Sequence, residues 1–305
     1  MATPPGPTSD FSARRAAAMP AVTAALRAAG CVFAEDEAHL LVAQARSEGD
    51  LARLVAERCA GVPLEHVLGW AQFCGLRVAV TPGVFVPRRR TELLVREAAR
   101  VARRGDVVVD LCCGSGAVGM ALAHAVAGIL LHLGDIDAAA VTCARTNAGP
   151  TGQVHRGDLY DALPATLRGA VAVLAVNAPY VPTDAIALMP LEARTHEPRI
   201  ALDGGPDGLD AQRRVVASAR QWLAPGGRLL IETSAHQAEL TRSLMTAAGL
   251  SSRVVRSAVL DATVVVGRVG RVGRAGRATG DARRGAQAVA VSGGSSRSRD
   301  PRDAV

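Results

Sequence analysis

Hydrophobic and polar positions repeat with a helical period in the first part of the chain and in a mixed pattern after it. Residues 20–58 repeat apolar side chains every three or four positions, as at Ala38, Leu41, Val42 and Ala45, which predicts several short helices. From residue 91 onward, apolar runs of strand length alternate with helical stretches. The predicted helices are 92–103, 117–127, 138–148, 210–223 and 237–248, and the predicted strands are 107–111, 129–135, 171–176, 228–232 and 262–266, with short strands near Val154 and Val254. Such alternation predicts a mostly parallel sheet covered by helices on both faces, with the last strands closing it.

These patterns divide the chain into five segments. We predict a disordered leader (1–19), a small helical N-terminal domain (20–72), a β-hairpin linker (73–90), a main α/β domain (91–267) and a disordered tail rich in Arg and Gly (268–305). The hairpin prediction depends on the turn signal Pro82-Gly83 between Val80 and Val84. A hydrophobic content of 49% supplies a sizeable core and excludes a wholly disordered chain.

The positive charge of the chain is concentrated in the tail. The net charge is +7, and all 35 basic residues are Arg, so a Schiff-base lysine and a P-loop lysine are excluded. The tail holds nine Arg and three Asp, a sum of +6, which leaves the remainder nearly neutral. Because the tail has no aromatic residue on which bases can stack, we expect only weak, nonspecific contact with nucleic acid.

The cysteines, histidines and apolar runs bear on location and metal binding. Six cysteines show no C-x-x-C spacing, which is typical of reduced thiols in the cytoplasm. No uncharged apolar stretch reaches 18 residues, and no secretory signal is visible, so we expect a cytoplasmic protein without membrane association. The seven histidines have no ligand partners at metal-site spacing, so no metal is expected.

A glycine-rich turn follows the first strand of the main domain. The sequence from Asp110 to Gly119 runs from strand through Gly114 and Gly116 into a helix. Glycines there let the backbone approach a nucleotide-like ligand, and the helix start offers unpaired N–H groups. The match to G-x-G-x-x-G is weak by itself. A carboxylate at Asp110 would repel a pyrophosphate but suits the ammonium or sulfonium of S-adenosylmethionine (AdoMet).

Two more acids end the following strands. Asp135 is placed to accept the hydroxyls of a ribose, and Asp158, just before Leu159, to accept the exocyclic amine of adenine. Each alone is more often a turn or capping residue. Three acids at successive strand ends lie at one edge of a parallel sheet, where ligands bind, and together they favour a nucleoside site.

The tetrapeptide Asn177-Ala178-Pro179-Tyr180 follows the strand 171–176 at the same edge. An amide nitrogen is a poor nucleophile, so a site that methylates one must work largely by orientation. The Asn177 side-chain carbonyl and the Ala178 backbone carbonyl can each accept one N–H of a substrate. Pro179 would fix the turn, and Tyr180 would wall the pocket.

Several segments together resemble the HemK/PrmC family. They are PLEHVLG (63–69), FCGL (73–76), PGVFVPR (82–88), DLCCGSG (110–116), NAPY (177–180) and EPRIALDGGPDGL (197–209). The resemblance covers roughly residues 20–267, and its motifs are jointly specific. This sequence departs from the family pattern at Ala178, which replaces a proline, and at Arg89-Arg90, which stand where the family has Pro-Glu.

The resemblance implies an AdoMet-dependent methyltransferase of class I, with a Rossmann-like, mostly parallel sheet and a small helical N-terminal domain. The family methylates the side-chain nitrogen of glutamine, best known in the Gly-Gly-Gln loop of translation release factors, so a glutamine-bearing protein is the expected partner. By resemblance, the catalytic residues are Asn177, Ala178, Pro179 and Tyr180, and the cofactor-binding residues are Asp110, Gly114, Gly116, Asp135, Asp158, Leu159 and Asn177.

Two other functions stay open at this stage. One keeps the chemistry and changes the acceptor to an exocyclic amine such as adenine N6 in nucleic acid, although the nearly neutral body counts against it. The other is a non-catalytic RNA- or ribosome-associated protein that uses the Arg tail. The Arg88-Arg89-Arg90 run could contact ribosomal RNA, an acidic partner or only solvent, and a solvated face is the usual outcome for such a run.

Overall fold

Four helices form the N-terminal part of the protein. The computed structural model describes residues 7–270, and the side chains of residues 15–270. The helices are α1 (Pro7–Ala28), α2 (Ala34–Gln44), α3 (Glu48–Cys59) and α4 (Leu64–Leu68). They enclose a core of their own around Leu26, Leu41 and Leu54, as the helical spacing predicts.

The predicted disordered leader is wrong from residue 7 onward, because α1 begins there and runs through Pro20. Ala18 and Met19 pack against the helical core, so the helix is anchored before the proline. The alanine-rich sequence in front of Pro20 has high helix propensity, and tertiary packing stabilises it further. Residues 1–6 of the leader lie outside the described residues.

A β-hairpin follows the helices. Its strands are β1 (Trp70–Phe73) and β2 (Leu76–Ala79), which pair antiparallel. Cys74 and Gly75 form the turn and both have positive φ, 48° and 81°, as a two-residue type I′ turn requires. The turn signal at Pro82-Gly83 belongs to a later bend, where Val84 N donates to Thr81 O.

One seven-stranded sheet forms the centre of the main domain. Its strands are β3 (Val107–Leu111), β4 (Leu130–Asp135), β5 (Gly152–Arg156), β6 (Val171–Val176), β7 (Leu223–Thr233), β8 (Ser251–Ser257) and β9 (Ala262–Arg268). The order across the sheet is β5-β4-β3-β6-β7-β9-β8. Strands β3 to β7 are parallel, and β9 and β8 are antiparallel, which confirms the mostly parallel prediction. The order reverses between β3 and β6, and a ligand crevice forms at such a switch point.

Helices cover both faces of this sheet. They are α5 (Glu92–Ala99), α6 (Ala117–Ala125), α7 (Ala138–Ala148), α8 (Leu191–His196), α9 (Asp210–Trp222) and α10 (Ala238–Ala247). Val108 packs with Leu94 and Leu122 on one face, and Val109 packs with Val215 and Trp222 on the other. Adjacent strand residues point to opposite faces, so both cores hold the carboxyl ends of the strands in place.

The folded chain extends slightly beyond the predicted boundary at residue 267. Strand β9 includes Arg268, and Val269 N donates a hydrogen bond of 3.0 Å to Gly227 O. The rest of the predicted tail, residues 271–305, lies outside the described residues. No helix within residues 7–270 is long and apolar enough to cross a membrane.

Candidate active site

A cavity of about 950 Å³ opens at the carboxyl edge of the parallel strands. The predicted residues that line it are Asp110, Gly114, Asp135, Asp158, Leu159, Asn177, Ala178, Pro179 and Tyr180. They come from four strand ends far apart in sequence, so the sheet brings both predicted sets of residues together. A cavity of this size holds a cofactor-sized ligand.

Gly116 is a predicted cofactor residue that does not line the cavity. It precedes α6 with a φ of 79°, a conformation that favours glycine. A Cβ at this position would lie 3.0 Å from Leu133 Cδ2 and 3.3 Å from Ala144 Cβ. Gly116 therefore permits close packing of the loop on the sheet and on α7, behind the cavity wall.

Asp135 holds the glycine-rich loop. Its Oδ2 accepts a hydrogen bond of 2.8 Å from Gly114 N, and its Oδ1 accepts one of 2.9 Å from Asp137 N. Burial raises the pKa of Asp135, and the two N–H donors oppose that change. Each carboxylate oxygen keeps a second lone pair, so the group can still accept hydroxyls from a ligand in the cavity.

Asp110 is almost completely buried below the loop, with 1% of its surface exposed. Its Oδ2 accepts a hydrogen bond of 2.8 Å from Gly119 N in α6. Burial raises the pKa of Asp110 to about 7, and the nearby Asp135 adds to the shift. The carboxyl is therefore poised to lose its proton when a cation enters the cavity.

Asp158 makes an ion pair that its sequence context did not indicate. Its Oδ2 lies 2.8 Å from Nη2 of Arg214, which α9 brings to the cavity. One carboxylate oxygen is thus occupied by a guanidinium beside the predicted adenine position. Leu159 follows with a φ of 50° and lines the same wall.

The Asn177–Tyr180 turn is fixed at both ends. Asn177 Nδ2 donates to Thr91 Oγ1 at 3.4 Å, and Ala178 is 2% exposed. Tyr180 donates its hydroxyl to Glu232 Oε1 at 3.3 Å, and its backbone carbonyl accepts a bond of 2.9 Å from Gln237 Nε2. Burial raises the pKa of Tyr180 to about 12, so its hydroxyl keeps the proton that it donates.

Two members of the Arg88-Arg89-Arg90 run contact acidic side chains of the same chain, although the Arg90 side chain stays 46% exposed. Arg88 Nη2 lies 2.5 Å from Oε1 of the buried Glu197, and Arg90 Nε lies 3.4 Å from Glu232 Oε1. Both arginines line the cavity. The sequence could not show this, since each glutamate is more than 100 residues away in the chain.

Sequence reasoning missed Glu232 and Gln237. Glu232 lies near the carboxyl end of β7, so the rule that selected Asp110 and Asp135, an acid at a strand end, would also have found it. Gln237 carried no such signal. Its Nε2 bridges Tyr180 O and Asp207 O, both at 2.9 Å, and this bridge exists only because two loops meet above the sheet.

Asn147 was also missed, and it joins the hairpin to the glycine-rich loop. Its Oδ1 accepts from Ala79 N at 2.8 Å, and its Nδ2 donates to Ala79 O at 2.9 Å and to Ser115 O at 2.8 Å.

We expect Asn147→Ala to lower the free energy of unfolding by about 2–3 kcal/mol, because three hydrogen bonds are lost. Urea denaturation measures this. In Asn147→Asp a carboxylate oxygen would face the Ala79 and Ser115 carbonyl oxygens, so we expect a loss at least as large as that of the alanine variant, and a clearly smaller loss would contradict the assignment.

Cys112 and Cys113 lie in the glycine-rich loop and line the cavity. Burial raises the thiol pKa of Cys112 and of Cys113, so neither is a thiolate near neutral pH. Among the described residues, no group of three or more His, Cys, Asp and Glu side chains is arranged to hold a metal ion.

Comparison with known proteins adds independent information. Residues 75–188 match the family described as "Methyltransferase small domain". The chain is 39% identical over 201 residues to the release factor glutamine methyltransferase of Geobacter sulfurreducens, covering 64% of this chain and 69% of that protein. It is also 39% identical over 204 residues to the 4-amino-L-phenylalanine/4-methylamino-L-phenylalanine methyltransferase of Streptomyces pristinaespiralis, covering 64% and 69% respectively.

The fold has a counterpart among solved structures. A methyltransferase from Pyrococcus furiosus superposes with a TM-score of 0.50 at 15% identity, covering 64% of this chain and 90% of that one, which supports the fold alone. The predicted class I methyltransferase fold is confirmed, and the protein is an AdoMet-dependent methyltransferase. The similarity to the Geobacter enzyme also confirms the resemblance found in the motifs. The chain belongs to the family of release factor glutamine methyltransferases.

Proposed function

We propose that the protein transfers a methyl group from AdoMet to the side-chain amide nitrogen of a glutamine in a translation release factor. The observation that carries the proposal is the fixed Asn177–Tyr180 turn, which shares one cavity with the acids at the ends of β3 and β4. The similarity to relatives named release factor glutamine methyltransferase supports the choice of substrate. Such a substrate would place the enzyme in the cytoplasm.

The residues present fit AdoMet. Asp135 would accept the ribose hydroxyls, Asp110 would face the cationic methionine part, and Asp158 and Leu159 would contact the adenine. An acidic lining matches the positive charge of AdoMet and disfavours a pyrophosphate-containing cofactor. When bound, AdoMet supplies an electrophilic methyl group on sulfur.

The acceptor residues would work by orientation. Asn177 Oδ1 and the Ala178 carbonyl would accept the two N–H groups of the substrate amide, which directs the nitrogen toward the donor. Ala178 keeps the backbone acceptor that the proline of the family provides, so the substitution leaves this contact in place. Pro179 and Tyr180 would close the pocket against water, and positioning of this kind supplies most of the acceleration.

Incubation with labelled AdoMet and a release factor tests the proposal. We expect label on the glutamine of the Gly-Gly-Gln loop and none when that glutamine is replaced by alanine in the substrate. Label elsewhere, or none at all, would reject the release-factor assignment. Mass spectrometry of the digested substrate locates the methyl group.

A second candidate acceptor is a small aromatic amine. It is favoured by the Streptomyces pristinaespiralis relative, which matches this chain with the same 39% identity. The same assay with 4-amino-L-phenylalanine discriminates the two, since a release-factor enzyme should leave it unmethylated. A nucleic-acid acceptor and a non-catalytic role have no comparable support.

AdoMet affinity should depend on pH through Asp110. Its pKa lies near 7 because the carboxyl is buried, and a cationic ligand favours the ionised form, so binding releases a proton. We expect the AdoMet Kd to fall about tenfold from pH 6 to pH 8. Calorimetry across this range measures it. Asp110→Asn should flatten the dependence, and an equal slope in that variant would show that another group titrates.

The same group should act in the opposite direction on the stability of the protein without cofactor. The ordinary pKa of 3.8 is raised to about 7 in the folded protein, so between these values the folded chain holds a proton that the unfolded chain has lost. The contribution of Asp110 to the free energy of unfolding therefore decreases as pH rises through this range. Thermal melts of the wild type and of Asp110→Asn, compared at pH 5 and pH 7.5, measure the difference.

The tail should contribute little to catalysis. Residues 271–305 carry eight Arg and three Asp, a sum of +5, and all the cavity residues precede them. We expect a chain ending at residue 270 to keep its AdoMet affinity and to lose only salt-sensitive association with nucleic acid. Calorimetry and binding to RNA at two salt concentrations test this. A large loss of cofactor affinity would show that the tail supports the site.

A further inference from the structure

A buried carboxylate lies directly beneath the Asn177–Tyr180 turn. Glu232 is 2% exposed, and the pairing of β6 with β7 places it beside Asn177. Its Oε1 accepts the Tyr180 hydroxyl at 3.3 Å and lies 3.4 Å from Arg90 Nε. Burying a carboxylate this deeply costs folding free energy unless its oxygens accept hydrogen bonds. The donors that contact Glu232 are therefore the groups that it holds in place.

The second oxygen of Glu232 is left unsatisfied by these contacts. Oε2 is buried and makes no hydrogen bond of normal length and angle. Burial raises the pKa of this carboxyl, and the hydroxyl of Thr91, a residue that is 2% exposed, is the nearby donor that opposes the rise. Thr91 Oγ1 in turn accepts from Asn177 Nδ2 at 3.4 Å. The three side chains thus form a chain of contacts from the carboxylate to the acceptor turn.

This chain of contacts has a direction. A hydroxyl has one proton, so when Thr91 directs it at the Glu232 carboxylate, its oxygen can only accept from the Asn177 amide. The NH₂ group of Asn177 is then turned toward Thr91, and Oδ1 is the group left for a ligand in the cavity. A carbonyl oxygen attracts the N–H groups of a substrate amide and repels the oxygens of a carboxylate.

We propose that Glu232 and Thr91 are positioning residues that fix the side-chain amide of Asn177 with its carbonyl toward the acceptor. They would thereby make the site select glutamine over glutamate. The inference rests on the proposed function for its substrate, but the amide orientation is a property of the protein alone. Glu232 serves the other end of the turn as well, through the hydroxyl of Tyr180.

Three substitutions separate this role from a general loss of structure. Thr91→Val removes the hydroxyl at nearly constant volume, and Thr91→Ser keeps it. Glu232→Gln offers Thr91 an NH₂ donor, so Thr91 can donate to Asn177 and reverse the amide. Thr183→Val is the matched control, because Thr183 lines the same cavity and donates to a carboxylate, that of Asp203 at 2.7 Å, away from Asn177.

Binding of two forms of the release factor tests selectivity. With S-adenosylhomocysteine present to prevent turnover, the Kd is measured for the form with the Gly-Gly-Gln glutamine and for a form with glutamate there. We expect the wild-type preference for glutamine to fall at least about fivefold in Thr91→Val and Glu232→Gln, and to recover in Thr91→Ser. A general structural defect would weaken the binding of both forms of the release factor equally. An unchanged ratio in both variants, or an equal fall in Thr183→Val, overturns the proposal while the proposed function stands.

A second measurement does not depend on the substrate. The chain has two asparagines, Asn147 and Asn177, so ¹⁵N-asparagine labelling gives two side-chain amide pairs that Asn177→Ala assigns. We expect Thr91→Val to shift the Asn177 pair and leave the Asn147 pair in place, with Thr91→Ser close to wild type. If the wild type does not bind a release factor, the proposed function fails and this spectrum decides the inference. If the Asn177 amide signals do not shift in Thr91→Val, the inference is overturned.

Discussion

Asn177→Ala should lower kcat for methylation of the release factor about 100- to 1000-fold at saturating AdoMet, the range seen when one preorganised polar group is removed from a reacting centre. The amide of Asn177 is held by Thr91 at the rim of the cavity, so its carbonyl needs no reorganisation when the substrate arrives. Alanine leaves the substrate nitrogen with the Ala178 carbonyl alone, and the nitrogen can rotate away from the donor. Single-turnover assays measure the effect on the chemical step.

Asn147→Ala provides the matched control, since it makes the same substitution at the other asparagine. That variant should lose stability but keep a kcat per folded molecule within about threefold of the wild type, because Asn147 contacts backbone atoms rather than substrate. AdoMet affinity of Asn177→Ala should change far less than kcat. If Kd for AdoMet rose as steeply as kcat fell, Asn177 would serve the cofactor instead of the acceptor.

Asp135→Ala should raise the Kd for AdoMet about 100-fold, the equivalent of two lost charge-assisted hydrogen bonds of about 1.5 kcal/mol each. Two effects act together. The carboxylate would accept the ribose hydroxyls, and it also anchors the glycine-rich loop through Gly114 N at 2.8 Å. Without it, the loop loses its fixed distance to β4, and the ligand must order the loop when it binds. Calorimetry with AdoMet and with S-adenosylhomocysteine measures both affinities.

Asp106→Ala is the control for charge. Asp106 lies next to the amino end of β3, opposite the cavity, where its Oδ2 accepts from Arg103 N at 2.9 Å. The Asp106→Ala variant removes the same charge as Asp135→Ala, but far from the cavity. Its Kd for AdoMet should therefore stay within about threefold of the wild type. Equal losses in the two variants would mean that net charge, rather than the position of Asp135, governs binding.

The elements with a clear hydrophobic period were predictable. Strand β6 and helix α7 match their predicted bounds, because a buried strand reads as an uninterrupted apolar run and an amphipathic helix as a 3.6-residue repeat. The hairpin turn was misplaced because Pro82-Gly83 gives a stronger local turn signal than Cys74-Gly75, although the latter adopts the required positive φ angles. The start of α1 was missed because Pro20 looks like a helix boundary, although the alanine-rich segment before it has high helix propensity and packing against α2 and α3 stabilises it.

The sequence by itself determined the class of protein and predicted candidate site residues, most of which line the cavity. The acids at the strand ends and the Asn177–Tyr180 turn carry their chemistry in their residue types, and parallel strands bring their carboxyl ends to one edge wherever such a sheet forms. The tertiary structure decided how those groups are held and charged. The contact of Glu232 with Tyr180, the pairing of Asp158 with Arg214 and the raised pKa of Asp110 depend on burial and on partners distant in the chain. Solvent exclusion and distance set these properties, and neither is encoded in local sequence.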